Sequence, residues 1–259
     1  MSKLPKEYKF IDLSDYGRFV ARWIAGMLIN TRVTPIHVTT CFIISGLLAI
    51  VCILYEFNTA AAFFLILKSI LDAADGELSR LKNKPSYVGR YYDSIADILL
   101  NFLFLLAIRH ITEESFFYML LAFLAIQLQG TLYNYYYVIL RNNVNGDRTS
   151  RVFENAAPKA MKGEKQSTVN VFYKIYDLLY ITFDKTIYFL DSKAMNSEIF
   201  PKWFMTLLST FGLGFQLLIM AILLILKLEI YVIPFFIAYS IMILVFVGIR
   251  RWFLDRKMG

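Results

Sequence analysis

The feature that most restricts this chain is a series of long apolar blocks that lack a polar face. They cover residues 36–55, 60–70, 98–108, 116–140, 204–226 and 230–247. A helix on the surface of a soluble domain keeps a polar stripe opposite its buried one, whereas a bilayer-crossing helix needs roughly 20 mostly apolar residues. The expected fold is therefore an all-α integral membrane bundle of six transmembrane helices. The second and third blocks reach spanning length only if the aspartate-bearing stretches beside them belong to the same helices.

Composition agrees: 58% of the 259 residues are hydrophobic and 18% are charged, against about 25% charged in a typical soluble domain. The placement of charge sets an orientation. With both termini, the 80–90 connection and the 141–203 segment on one side, that side holds all but three of the 27 Lys and Arg residues. Only Arg109, Lys227 and the mid-block Lys68 fall elsewhere. Lys/Arg-rich connections stay cytoplasmic, so both termini and the surface between them are expected to face the cytoplasm. The net charge of +7 sits at block ends, where it meets anionic headgroups, so membrane lipids are the expected partner and nucleic acid is not. Cys41 and Cys52 share one block and are too far apart on one helix to pair, which makes them small apolar fillers.

Residues 7–31 repeat Phe10, Leu13, Tyr16, Phe19, Trp23 and Met27 every three or four positions. This pattern predicts an N-terminal amphipathic helix lying in the headgroup plane. The segment 144–203 reads as a cytoplasmic connection: polar with turn signals at Asn145-Gly146 and Asp147-Arg148, then a second interfacial helix over 169–190. No linker divides the chain, so residues 1–259 are expected to fold as one membrane domain.

Charged residues inside a span are costly and mark function by default. Asp72, Asp75 and Ser79 are spaced i, i+3, i+7, and Asp93 and Asp97 are spaced i, i+4. Each set falls on one helical face, and the short 81–88 connection makes the two helices antiparallel neighbours. Four carboxylates at one level repel one another unless cations lie between them. Oxygen-only ligands suit Mg²⁺ or another hard ion, and paired metals stabilise the attacking and leaving oxygens of displacement at phosphorus. Gly76 and Gly89 clear room for a phosphate or nucleotide, and Arg80 offers a planar fork to phosphate. A set of structural ion pairs is a poor alternative, because Lys68 and Arg80 are too few bases for four acids.

These residues spell Asp72-x-x-Asp75-Gly76-x-x-Ser79-Arg80, eight residues, then Gly89-x-x-x-Asp93-x-x-x-Asp97. The pattern resembles the signature of the CDP-alcohol phosphatidyltransferase family, D-x2-D-G-x2-A-R-x8-G-x3-D-x3-D. Ser79 is the single departure, at a position where the family has Ala. The Thr34-Pro35 and Thr39 entry to the first block is a looser likeness. The resemblance implies that Asp72, Asp75 and Asp93 hold two ions, Mg²⁺ or Mn²⁺, with Asp97 completing the cluster and acting as general base. It implies that Gly76, Ser79, Arg80 and Gly89 line the CDP site, and that a CDP-alcohol donor and a hydroxyl acceptor react with release of CMP. A homodimer is a further implication of the same likeness.

Two substrate readings stay open at this point: phosphatidyl transfer, or CDP-choline/CDP-ethanolamine headgroup transfer to a diradylglycerol. The scarcity of bases in 112–140 and 204–226 leans against a phosphorylated acceptor. A cation-binding transporter is the rival from another class, but it would need polar residues through the full depth of the bundle. Lys68 lies one turn before Asp72 and is expected to pair with it or to meet a phosphate. Glu77 is expected to pair with a base, His37 to be interfacial, and Tyr133, Tyr135, Tyr136 and Tyr137 to form a belt at the lipid boundary. Asn134 among them needs a partner if buried, and Gly212 and Gly214 are expected to allow close packing.

Overall fold

A computed structural model of the chain describes residues 4–144, 154, 156–196 and 200–254. Among the described residues the structure is helical, with no strand. Ten α-helices follow in order: α1 Arg18–Leu28, α2 Pro35–Leu54, α3 Asn58–Leu81, α4 Tyr87–Thr112, α5 Phe116–Asn143, α6 Gln166–Leu190, α7 Lys202–Leu208, α8 Leu213–Ile225, α9 Val232–Tyr239 and α10 Ile241–Ile249. The Asn-Gly and Asp-Arg turn signals, the extreme N-terminus and the last basic residues lie outside the described residues.

Among the described residues, four helical stretches are long and apolar enough to cross a membrane alone: Pro35–Leu54, Tyr87–Thr112, Phe116–Asn143 and Glu229–Trp252, the last comprising α9 and α10. The pair Lys202–Phe211 and Leu213–Ile225, bent by 53°, makes a fifth if it counts as one span. Helix α3 is 24 residues long but carries Lys68, Asp72 and Asp75 in its apolar stretch. The aspartates do lie inside the helices, α3 and α4, as the length argument requires.

Local chemistry sets the ends. Thr34 caps α2 through the His37 N–H while His37 Nδ1 accepts the Thr34 N–H, and Pro35 occupies the first helical position. Ser86 caps α4, its hydroxyl accepting the Gly89 N–H at 2.8 Å. Helices α2, α3 and α4 then pack through small residues. Ala49, Ala61 and Ala62 are buried against Leu65, Leu100 and Phe104. At Gly46 a Cβ would stand 2.7 Å from a Leu100 methyl, so a larger residue there would have to displace the Leu100 side chain between α2 and α4.

The N-terminal stretch differs from the single amphipathic helix read from its periodicity. Asp12 accepts the Ser14 N–H and starts a 3₁₀ turn at Leu13–Asp15, and α1 begins only after Gly17. The turn wedges into the α7–α8 bend: the Leu13 N–H donates to Ser209 Oγ at 2.9 Å, and Ser14 packs on Gly212 and Gly214. The two glycines do allow close packing, with this segment instead of a neighbouring span. On α1, Ala21 and Ala25 pack toward Ala74 and Leu78 of α3. Phe19, Trp23 and Met27 point outward, 85%, 64% and 62% exposed, so half of the predicted stripe faces away from the protein.

Candidate active site

Helices α3 and α4 each pack against α2 rather than closely against one another, as the short connection had suggested, and their aspartates face a shared cavity of about 2140 Å³. Asp72, Asp75, Asp93 and Asp97 all line it, together with Gly76, Ser79, Arg80 and Gly89. One carboxylate oxygen from each of Asp72, Asp75 and Asp93 lies within 4.8 Å of the others. Asp97 is not part of that triad. It is held by the Lys68 ammonium, which also stands 3.2 Å from Asp72 Oδ2. Lys68 therefore pairs as expected from its position, and reaches a second aspartate that spacing alone did not predict.

The surrounding residues orient this cluster. The Thr39 hydroxyl donates to Asp75 Oδ2 at 2.6 Å, so the Thr-Pro entry to α2 feeds directly into the site. Glu77 pairs with Arg80 (3.3 Å) and Arg22 (3.6 Å), which fixes the Arg80 fork at the cavity wall beside Gly76. The Ser79 hydroxyl donates to the Lys84 carbonyl at 3.1 Å. The departure from Ala thus serves the α3–α4 turn and keeps its side chain small.

The described part of the α5–α6 connection is fastened across the start of α4. Glu164 accepts from the Ser86 hydroxyl at 2.7 Å and the Val88 N–H at 2.8 Å. Glu154 pairs with Arg90 and accepts the Tyr91 hydroxyl, each at 2.5 Å. From α6, Tyr180 donates to the Ser94 carbonyl at 2.7 Å and stacks on Tyr176 at 4.8 Å. Asp184, one turn on, also lines the cavity. Burial, with repulsion from Glu154 and Asp177, pushes its carboxyl up to about 7.

The tyrosine belt is a correction. Tyr135, Tyr136 and Tyr137 are buried, because the N-terminal segment, α6 and the last helices enclose this end of α5. Tyr136 donates to Asp191 Oδ2 at 2.6 Å, Tyr135 to the Asp191 carbonyl at 3.0 Å, and Tyr133 to Asp12 Oδ2 at 2.7 Å. Asn134 is exposed toward the cavity. Arg18 and Arg141 line the cavity too, so the scarcity of bases inside the later spans loses its weight against a phosphorylated acceptor. Sequence reading also passed over Asn101, one turn beyond Asp97, and Gln127 of α5, both buried and both lining the cavity. Their signal was available: amides inside otherwise apolar runs. Beyond Asn101 the inward side of α4 continues with Phe104, Leu105 and Ile108, buried in the apolar core, so the polar lining stops partway through the bundle.

The family model for CDP-alcohol phosphatidyltransferase matches residues 32–257. The chain belongs to this family. No curated protein matches it as a relative. As a CDP-alcohol phosphatidyltransferase it is a membrane-embedded transferase of phospholipid synthesis, acting on a CDP-alcohol and an alcohol acceptor among membrane lipids. Enzymes of this family use divalent metal ions, and the residues fit that use. Asp72, Asp75 and Asp93 offer only hard oxygen donors, and Asp93 Oδ1 is buried without a hydrogen-bond partner. A buried carboxylate oxygen in that position is costly unless a cation satisfies it.

Proposed function

We propose that this aspartate cluster is the catalytic centre of a phosphatidyl transfer in which a hydroxyl acceptor displaces CMP from a CDP-alcohol. The observation that carries this reading is the convergence of Asp72, Asp75 and the unpartnered Asp93 oxygen on one wall of a cavity large enough for both substrates. Asp72, Asp75 and Asp93 would hold divalent metal, Mg²⁺ or Mn²⁺, with Asp97 completing a two-ion cluster. Bound metal would supply charge neutralisation at the phosphoryl oxygens and acidify a nearby hydroxyl.

The chain's own residues account for the rest. Gly76 and Gly89 leave the helix surfaces bare where CDP approaches, and Arg80, anchored by Glu77, offers its guanidinium to the diphosphate. Ser79 lines the same end. Asp97 is the general base: it sits one turn from Asp93 on the same face of α4, within the cavity, where an acceptor hydroxyl can lose its proton to it. The polar groups Asn134, Tyr133 and Arg141 on the α5 side suit the acceptor, and the apolar outer walls suit acyl chains.

The same reading takes α3, the α7–α8 pair and the α9–α10 stretch as spans beside α2, α4 and α5. That gives six spans in one domain over residues 1–259, with α1 and α6 at the headgroup level. Both termini and the cavity mouth then face the cytoplasm. The outward apolar faces support it: Phe19, Trp23 and Met27 on α1, and Val171, Leu178 and Phe189 on α6. A homodimer belongs to the same reading.

The test is purified protein with Mg²⁺ and a matrix of CDP-alcohols and acceptors, reading CMP release. CMP release from CDP-diacylglycerol with a polar alcohol is the expected result. Release only from CDP-choline or CDP-ethanolamine with a diradylglycerol would transfer the assignment to headgroup transfer. No CMP from any pairing would remove the reading.

A further inference from the structure

Lys68 is a charged side chain bonded to this aspartate cluster that the family signature leaves unassigned. It is fully buried. Its ammonium is bonded to Asp97, stands 3.2 Å from Asp72 Oδ2, and lies 4.6 Å from the centre of the Phe42 ring. A lysine in an apolar core keeps its charge only with such partners, and this one has taken two of the four carboxylates as partners. The three that face one another for a common ion are Asp72, Asp75 and Asp93. The fourth is covered.

We propose that Lys68 is a built-in cation that holds the place of a second metal ion. In the substrate-free enzyme it keeps Asp97, so the aspartates take up one divalent ion. It yields Asp97 to a second ion only when the donor's diphosphate arrives to receive the ammonium. This inference rests on the metal-centre reading above and specifies how that centre loads.

Charge favours this order. With the four aspartates ionised, Lys68 and one divalent ion leave the cluster with a single net negative charge. A second divalent ion would turn it net positive inside an apolar wall, a costly arrangement. The donor's diphosphate brings the negative charge that admits the second ion. Lys68 lies one helical turn from Asp72, which lines the cavity, and in this proposal its ammonium passes from Asp97 to a phosphate oxygen there.

The experiment counts Mn²⁺ bound to the purified, detergent-solubilised protein by equilibrium dialysis, reading free Mn²⁺ by electron paramagnetic resonance, with and without CDP. Wild type is expected to bind one ion per chain without CDP and two with it. Lys68→Met is expected to bind two without CDP, and Lys68→Arg, which keeps the charge, to behave as wild type. Asp97→Asn is expected to lose the CDP-dependent ion, which separates it from Mn²⁺ carried in on the nucleotide. Two ions in wild type without CDP would overturn the inference while leaving the metal centre in place, and so would one ion whether CDP is present or not. No bound Mn²⁺ under either condition would overturn the metal-centre reading and this inference with it. Should Lys68→Met fail to fold, the wild-type counts decide alone; if it folds and binds one ion without CDP, the placeholder role is lost.

Discussion

At the scale of single residues, the site depends on side chains that aim the carboxylates as much as on the carboxylates. Thr39 is the clearest: its hydroxyl bonds Asp75 Oδ2, and partners of metal ligands commonly change metal affinity by about 10–100-fold when removed. Thr39→Val keeps the shape and deletes the bond. Its expected effect is a roughly 10-fold rise in the Mg²⁺ concentration for half-maximal CMP release, with a smaller change in the rate at saturating metal. An unchanged metal requirement would show the hydroxyl to be idle. Asp97→Asn tests Asp97 itself: CMP release should fall to background while the CDP-independent Mn²⁺ stays bound, measured by equilibrium dialysis. Loss of that ion too would make Asp97 a ligand of the first ion. The four aspartates were legible in the sequence because their spacing is helical and their surroundings are apolar. Thr39 was half-legible, since a Thr-Pro pair marks a helix start but not what the next turn touches. The Lys68–Asp97 contact was not, because it joins two helices and depends on their depth relative to each other.

At the scale of elements, α6 shows how tertiary context overrides local pattern. Its outward positions Val171, Leu178 and Phe189 are exposed, as the mixed aromatic and charged stretch suggested, yet its inward tyrosines close the cavity over α4. The α5 tyrosines misled for the same reason: aromatic residues near a span end suit a lipid boundary, but the ends of α6 and α10 enclose them. Asp191, just past α6, takes Tyr136 and Arg250 as fully buried partners, a junction that no periodicity announces. Asp184 gives α6 a pH dependence. Its carboxyl is raised to about 7 by burial, with Glu154 and Asp177 adding repulsion, whereas in the unfolded chain it would titrate near 4. Between those values the folded protein binds the extra proton, so its stability falls as pH rises from about 4 to about 7 and is level above that. The expected result is a lower unfolding temperature at pH 8 than at pH 5.5 in wild type, and a smaller difference in Asp184→Asn. Equal pH dependence in the two proteins would show that Asp184 titrates normally.

At the scale of the whole molecule, charge asymmetry and helix count make one joint prediction about sidedness. Six spans with cytoplasmic termini put residue 167, at the start of α6, on the cytoplasmic side after four crossings. They put Lys227, between α8 and α9, on the opposite side after five. Both positions are exposed, and the native Cys41 and Cys52 are free thiols that alanine can replace. In that background, Ser167→Cys should react with a membrane-impermeant maleimide in inside-out vesicles and not in intact cells. Lys227→Cys should do the reverse. Labelling of both from the same side would break the six-span reading, and the bent α7–α8 pair, which alone lies between the two positions, would be the element that fails to cross. α3 carries the risk because Lys68, Asp72 and Asp75 lower its apolarity. The buried Lys68 pairing with Asp72 and Asp97 would make such a crossing tolerable, since paired charges facing a cavity cost far less than charges facing lipid. Labelling of both positions from opposite but exchanged sides would mean either that α3 fails to cross or that the six crossings are kept with the orientation reversed, which moves the aspartate cavity to the non-cytoplasmic face.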